Sequence, residues 1–154
     1  MISINITEEQ MVNLKKISEH IPLLKSIISN NGPVTERIKT YEDACRELGK
    51  EPYNEEQLSQ LGLTKNDIAY QRLAVIVEAL NEGWKPDVCD NNVYRWYPWF
   101  KPNNSPSSFA FSDSCYDYVV AAAGSGSRLA LKSRELAKYC AEQFIDIWKD
   151  IQLG

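Results

Sequence analysis

Histidine is almost absent from this chain of 154 residues, and cysteine is scarce and scattered. The one histidine is His20, and the cysteines, Cys45, Cys89, Cys115 and Cys140, form no Cys-x-x-Cys pair. Structural zinc sites and redox dithiols need closely spaced ligands, and Ser-His-Asp or Cys-His triads need a suitably placed histidine. We therefore expect no metal, no cofactor and no enzymatic activity, and we interpret the cysteines as free thiols in or near the core.

Long apolar runs are also lacking. No stretch approaches the roughly 20 apolar residues of a membrane-spanning helix, and the first ten residues lack the basic start and apolar centre of a secretory signal. The net charge of -4 disfavours broad binding to nucleic acid or to anionic membranes, because such binding depends on Lys and Arg. We therefore expect a cytoplasmic protein that does not associate with membranes.

The pattern of apolar residues predicts two parts. Thr7-Glu8-Glu9-Gln10 has the form of a capping box, and apolar residues at helical spacing follow until Asn30-Asn31-Gly32-Pro33 ends the pattern. We interpret residues 1–32 as an N-terminal helical extension and residues 33–154 as a single domain. Within that domain, helices are predicted to begin at Thr40, Thr64 and Ser133, the last one continuing to Ile151.

The segment 94–131 contains most of the large aromatic residues. Val93–Tyr97 is rich in strand-forming residues, Phe109 and Phe111 alternate with small residues, and Asp113-Ser114 is typical of a turn. A further strand is predicted over 116–120, with a reversal at 124–127 and a short return over 128–131. The fold class predicted is α+β: a small three- to four-stranded antiparallel sheet over about 93–131, packed with flanking helices.

The glycine-serine stretch and the basic residues after it are the best candidate for binding an anion. Glycines let backbone amides turn outward around an anion, and an arginine can grip phosphate or carboxylate with two hydrogen bonds. A tight hairpin turn needs the same glycines for steric reasons, so a purely structural role is the competing interpretation. The candidate residues here are Gly124, Gly126, Ser127, Arg128 and Lys132.

The aromatic run 94–100 is the second candidate surface. Its rings either pack into the core and onto the last helix or stay exposed as a stacking platform or partner-binding surface. The candidate residues here are Arg95, Trp96, Trp99 and Phe100.

Several segments are similar to a family of short proteins, of no known activity, from gut Bacteroidetes and their tailed phages. They are Arg37–Cys45, Ala79–Trp84, Tyr97–Phe100, Gly126–Leu129 and Lys132–Ala137. The resemblance implies a phage or mobile element in a bacterial host cytoplasm, where small proteins serve as virion components, host-takeover binders or inhibitors of defence systems.

The sequence therefore leads to three hypotheses, and a hydrolase whose acidic residues hold magnesium is the last alternative. The first is a non-enzymatic accessory protein that binds a partner protein or a small anionic ligand, such as a nucleotide signal, with a host-takeover or anti-defence role. The second is a virion or assembly component, for which symmetric homo-oligomers are expected. The third, disfavoured by the acidic charge balance, is a single-stranded nucleic-acid binder that uses the same aromatic residues.

Overall fold

The computed structural model describes residues 7, 9–10, 12–13, 32–87, 90, 92–101, 110–117 and 127–153. The chain clusters into two compact units, Met1–Arg37 and Ile38–Gly154. The boundary predicted after residue 32 stays a prediction.

In the first unit, the capping box is confirmed. The Gln10 amide donates to Thr7 Oγ1 over 3.3 Å, and the Thr7 amide donates to Gln10 Oε1 over 2.9 Å. A short helix, α1 (Val34–Arg37), ends this unit, and Arg37 Nε donates to the Gly32 carbonyl over 3.0 Å. The helical positions predicted between residues 14 and 31 lie outside the described residues.

The described part of the second unit is mostly helical. Its helices are α2 (Tyr41–Glu47), α3 (Glu55–Gln60), α4 (Lys65–Leu80), α5 (Arg134–Gln143) and α6 (Ile145–Leu153). Between α4 and α5 lie two strands, β1 (Arg95–Lys101) and β2 (Ala110–Asp117), and a 3-10 turn (Ser127–Leu129).

Side-chain caps fix where these helices begin. Thr40, Thr64 and Ser133 each accept a hydrogen bond from the amide three residues on, so the predicted starts are confirmed. Each bond satisfies one of the amides that the first helical turn leaves without a partner. At Thr40 and Thr64 the box is complete, because the aspartate three residues on accepts from the cap's own amide.

Replacing Thr64 tests whether its side chain stabilises the first turn of α4. Thr64→Ala should lower the free energy of unfolding by about 1 kcal/mol near neutral pH, because an orphan amide loses its acceptor. The hydrogen bonds from Thr64 hold the pKa of Asp67 below its ordinary value. The folded-state pKa therefore lies below the unfolded one, and this carboxylate's contribution to stability is lost as pH falls through the folded-state pKa.

Urea unfolding at neutral and at acidic pH checks the prediction, with Thr64→Ser as the control that keeps the hydroxyl. The serine variant should stay within a few tenths of a kcal/mol of the parent. An equal loss in both variants, or a Thr64→Ala loss that does not shrink in acid, would contradict it.

The core is built around α4, which packs against α2, α3 and α6. Leu73, Ile76 and Leu80 are completely buried, and the predicted companions Ala69 and Val77 are buried with them. Each fully buried aliphatic side chain contributes about 1.5–3 kcal/mol, so this helix supplies much of the unit's hydrophobic stabilisation.

The C-terminal segment forms two helices where one was predicted. Phe144 stands between α5 and α6 with φ −114° and ψ 32°, outside the helical region. The break lets α5 pack on both strands while α6 packs on α4. The predicted apolar stripe is nonetheless buried at Leu136, Cys140 and Phe144, and Trp148 is buried beyond the break.

The predicted α+β fold with a three- to four-stranded sheet over about 93–131 was wrong. In the described residues, strand pairing is limited to an antiparallel ribbon of β1 and β2. The turn expected at Asp113-Ser114 lies inside β2, opposite Trp99 and Pro98, so two expected strands are one. The register shifts between Trp99 and Phe100, just after Pro98, which has no amide hydrogen to donate.

The strand expected over 128–131 is also not formed. Residues 127–129 make the 3-10 turn, and Leu131 contributes a single bridge to Trp96, with both backbone bonds between 2.9 and 3.0 Å. On the other side of Leu131, Asn81 Nδ2 donates to the Ala130 carbonyl over 2.8 Å and its Oδ1 accepts from the Lys132 amide over 3.0 Å. The side chain of Asn81 thus occupies the backbone groups that another strand would need.

Candidate functional site

A groove of about 460 Å³ runs along the C-terminal half of α4. Its walls come from one face of α4, from the segment 84–86 that follows this helix, and from Arg128 and Ala130, with Lys50 and Tyr53 at one side. This volume lies within the range of roughly 300–1,000 Å³ that is typical of small-molecule sites. The lining residues that carry charge or aromatic rings are Lys50, Tyr53, Glu78, Trp84, Lys85 and Arg128.

The groove carries an excess of positive charge although the whole chain is acidic. Three of the lining residues are cationic and one, Glu78, is anionic, which gives a formal charge of +2. Glu78 is already paired with Lys50 over 2.6 Å. No ion pair joins Lys85 or Arg128 to a carboxylate within the described ranges, and Arg128 is exposed. Within that part of the chain, the net positive charge of the groove therefore rests on these two side chains.

The turn after α4 places the aromatic and basic wall of the groove. Glu82 has φ 50° and Gly83 has φ 84°, so the chain leaves the helix through two successive left-handed residues. Glycine adopts that conformation readily, whereas in glutamate it costs conformational free energy because the Cβ atom approaches the backbone. Lys132 Nζ lies 2.7 Å from a Glu82 carboxylate oxygen, an ion pair that ties the turn to the segment carrying Arg128. Trp84 and Lys85 follow directly.

Asn81 holds the segment of the groove that carries Arg128 and Ala130. It is buried at the end of α4, and its two hydrogen bonds to residues 130 and 132 hold the segment that begins at the 3-10 turn. Arg128 stands two residues before the Ala130 carbonyl that accepts from Asn81, so this hydrogen bond restrains the backbone that carries Arg128.

Tyr41 positions Tyr53, one of the residues that line the groove. The Tyr53 amide donates to the Tyr41 hydroxyl oxygen over 3.0 Å, and the two rings lie 6.3 Å apart. Burial raises the pKa of Tyr41 to about 12, so its hydroxyl stays neutral under physiological conditions. The guanidinium of Arg72 lies over the Tyr41 ring, 4.7 Å from its centroid.

The predicted anion-binding residues separate in the structure. Arg128 lines the groove, whereas Lys132 does not line it and pairs with Glu82. Ser127 begins the 3-10 turn. Gly124 and Gly126 lie outside the described residues.

The candidate residues of the aromatic run differ in how far they are buried. Arg95 is 1% exposed, and its Nη2 donates to the Asp87 and Asp90 carbonyls, each over 3.2 Å. Its Nε and Nη1 have no hydrogen-bond partner among the described residues. Because the side chain is buried and bonded to the backbone of Asp87 and Asp90, it takes no part in an exposed surface. Trp96 is half-buried and stacks on Tyr94, with ring centroids 6.4 Å apart.

Two aromatic side chains of the run 94–100 are exposed, Trp99 and, at 46% of its surface, Tyr94. Trp99 has 56% of its surface accessible, whereas Phe100 is half-buried and packs on Trp148 with ring centroids 5.1 Å apart. The aromatic run is therefore neither wholly core nor wholly surface: Trp99 is exposed, whereas Trp96 and Phe100 are half-buried.

Lys50, Trp84 and Lys85 were not among the predicted site residues. The sequence carried one usable signal for them: Gly83 ends a strongly periodic helix, and a tryptophan and a lysine stand directly after it. Nothing local in the sequence indicates that Lys50 or Arg128 lies near that turn.

Other classes of site find little support in the described residues. Histidine, cysteine, aspartate and glutamate side chains do not gather in groups of three anywhere in that part of the chain. No described helix combines the length and the apolar composition that crossing a bilayer requires. No protein-family model, no curated protein and no solved structure matches the chain. The resemblance to the phage-associated family stays a prediction.

Proposed function

We propose that this protein binds a small anionic ligand that carries a planar ring, such as a nucleotide, in the groove beside α4. The observation that supports this most is that Trp84, Lys85 and Arg128 line one groove, where neither cation pairs with a carboxylate of the described residues. Lys85 and Arg128 supply charge-assisted hydrogen bonds to an anion, and Trp84 supplies a stacking face.

Arginine suits the anionic end of such a ligand. Its planar guanidinium presents paired donors that match two oxygens of a phosphate, and it stays charged at all physiological pH values. Lys85 adds a second, more flexible cation. Partial enclosure by the groove strengthens both interactions relative to open water.

The composition of the groove supports binding more than catalysis. Its described lining includes no serine, threonine, cysteine or histidine, and its carboxylate is engaged with Lys50. A general base poised near neutral pH would need a carboxylate or imidazole free to take a proton. In the phage setting that the sequence resemblance implies, the proposed role is to sequester a host nucleotide signal.

Calorimetric titration with nucleoside mono-, di- and triphosphates tests the proposal. Arg128→Ala should weaken binding of the best nucleotide by about tenfold to 100-fold, because a hydrogen bond to a charged group contributes about 1.5–3 kcal/mol. Arg46→Ala is the matched control, since Arg46 is exposed, pairs with Asp43 and does not line the groove.

The control should bind as tightly as the parent. Absence of binding by any nucleotide to the parent protein, or equal losses in the two variants, would contradict the proposed function.

A second candidate function, binding of a partner protein, is favoured by the exposure of Trp99 on β1. Large exposed aromatic side chains are enriched at protein interfaces. A pull-down that compares the parent with Trp99→Ala checks it, and recovery of the same proteins by both would contradict it.

A further inference from the structure

Glu78 carries the carboxylate of the groove's described lining, so it shares the groove with Lys85 and Arg128. It precedes Asn81 by three residues on α4, so the two side chains lie on the same face of the helix, one turn apart. Asn81 in turn holds the segment that carries Arg128. About half of the Glu78 side chain is accessible, and the residue lines the groove.

The balance of charge in the groove matches one phosphate group. A phosphate monoester carries a charge of about −1.5 to −2 at neutral pH, and the lining carries a formal +2. Among the described residues, Lys85 and Arg128 pair with no carboxylate, whereas Lys50 Nζ lies 2.6 Å from a Glu78 carboxylate oxygen. A second or third phosphate would either face the carboxylate of Glu78 or have to displace it from Lys50.

We infer that the groove selects nucleoside monophosphates over di- and triphosphates, and that Glu78 is the residue that sets this preference. The inference rests on the proposed function and adds the class of nucleotide to it. Like charges at close range disfavour binding, so the carboxylate repels the additional phosphates while Lys85 and Arg128 hold the first one.

The test is calorimetric titration of the full chain with the mono-, di- and triphosphates of adenosine, guanosine, cytidine and uridine at one fixed ionic strength. The parent should bind its best monophosphate more tightly than the corresponding triphosphate. Glu78→Gln should raise the affinity for the triphosphate by about tenfold and that for the monophosphate by less than about threefold. The additional phosphates lose a repulsion and gain the Lys50 ammonium that Glu78 had engaged, whereas the single phosphate is held mainly by Lys85 and Arg128.

Glu56→Gln is the matched control, since Glu56 is exposed on α3 and does not line the groove. It should leave both affinities unchanged. Tighter binding of the triphosphate by the parent, or an equal gain for both ligands in Glu78→Gln, would overturn the inference and leave the proposed function standing. Failure of every nucleotide to bind the parent would overturn both.

Discussion

Replacing Asn81 by alanine is expected to lower the free energy of unfolding by about 2–4 kcal/mol and to weaken nucleotide binding at the same time. The change leaves the Ala130 carbonyl and the Lys132 amide without their partner, and each unsatisfied group costs about 1–3 kcal/mol. Loss of the two bonds also frees the segment that carries Arg128. Urea unfolding and calorimetric titration of the same preparation measure both effects.

Asn66→Ala is the control for this prediction. Asn66 is half-buried, and its Nδ2 donates a single hydrogen bond of 2.7 Å to the Ile151 carbonyl, away from the groove. Its replacement should cost about 1 kcal/mol and leave nucleotide affinity unchanged. If Asn81→Ala proves no more destabilising than Asn66→Ala, or binds nucleotide like the parent, Asn81 does not hold the wall of the groove.

Trp148→Ala is expected to have the largest effect on stability, a loss of about 3–5 kcal/mol. Trp148 is 5% exposed, and its ring lies 5.1 Å from that of Phe100 at an interplanar angle of 41°. This contact joins α6 to β1, so alanine both removes buried apolar area and opens a cavity between two elements. Chemical denaturation monitored by circular dichroism measures the loss.

Trp99→Ala provides the comparison within the same residue type. Because Trp99 is mostly exposed, its removal should change stability by no more than about 0.5 kcal/mol. Similar losses in the two variants would show that the burial of Trp148 is not what stabilises the packing of α6.

The helices were predictable because their signals are local. Thr64 and Asp67 lie three residues apart, and the capping box they form needs no information from elsewhere in the chain. The burial of Leu73, Ile76 and Leu80 follows in the same way from spacing along one helix. The break at Phe144 was not predictable, because it depends on two different packing partners, the strands for α5 and helix α4 for α6.

The larger sheet was mistaken because strand pairing depends on distant groups. The segment that ends at Leu131 has the composition of a strand. The Asn81 side chain, however, bonds to the Ala130 carbonyl and the Lys132 amide, which lie 49 and 51 residues further along the chain. Asp113-Ser114 has the composition of a turn, yet pairing with β1 keeps these residues extended. Tertiary hydrogen bonds therefore overrode local propensity at both positions.

Of the charged and aromatic residues that line the groove, the sequence predicted only Arg128 as a site residue. Lys50, Glu78, Lys85 and Arg128 come from four separate parts of the sequence, and only the folded arrangement brings them to one groove. Arg95 shows the opposite error, since a basic residue among aromatics suggested an exposed surface but its side chain is buried. Charge alone does not reveal which cations a fold encloses.

The central claim is that a nucleotide's ring stacks on Trp84 while its phosphate meets Arg128. Intermolecular nuclear Overhauser effects, measured on the parent protein with its best-binding nucleoside monophosphate, test this most directly. The account predicts cross-peaks between the protons of the base and those of the Trp84 indole, which disappear in Arg128→Ala. Cross-peaks to the exposed Trp99 instead, or none to Trp84 at saturating ligand, would contradict it.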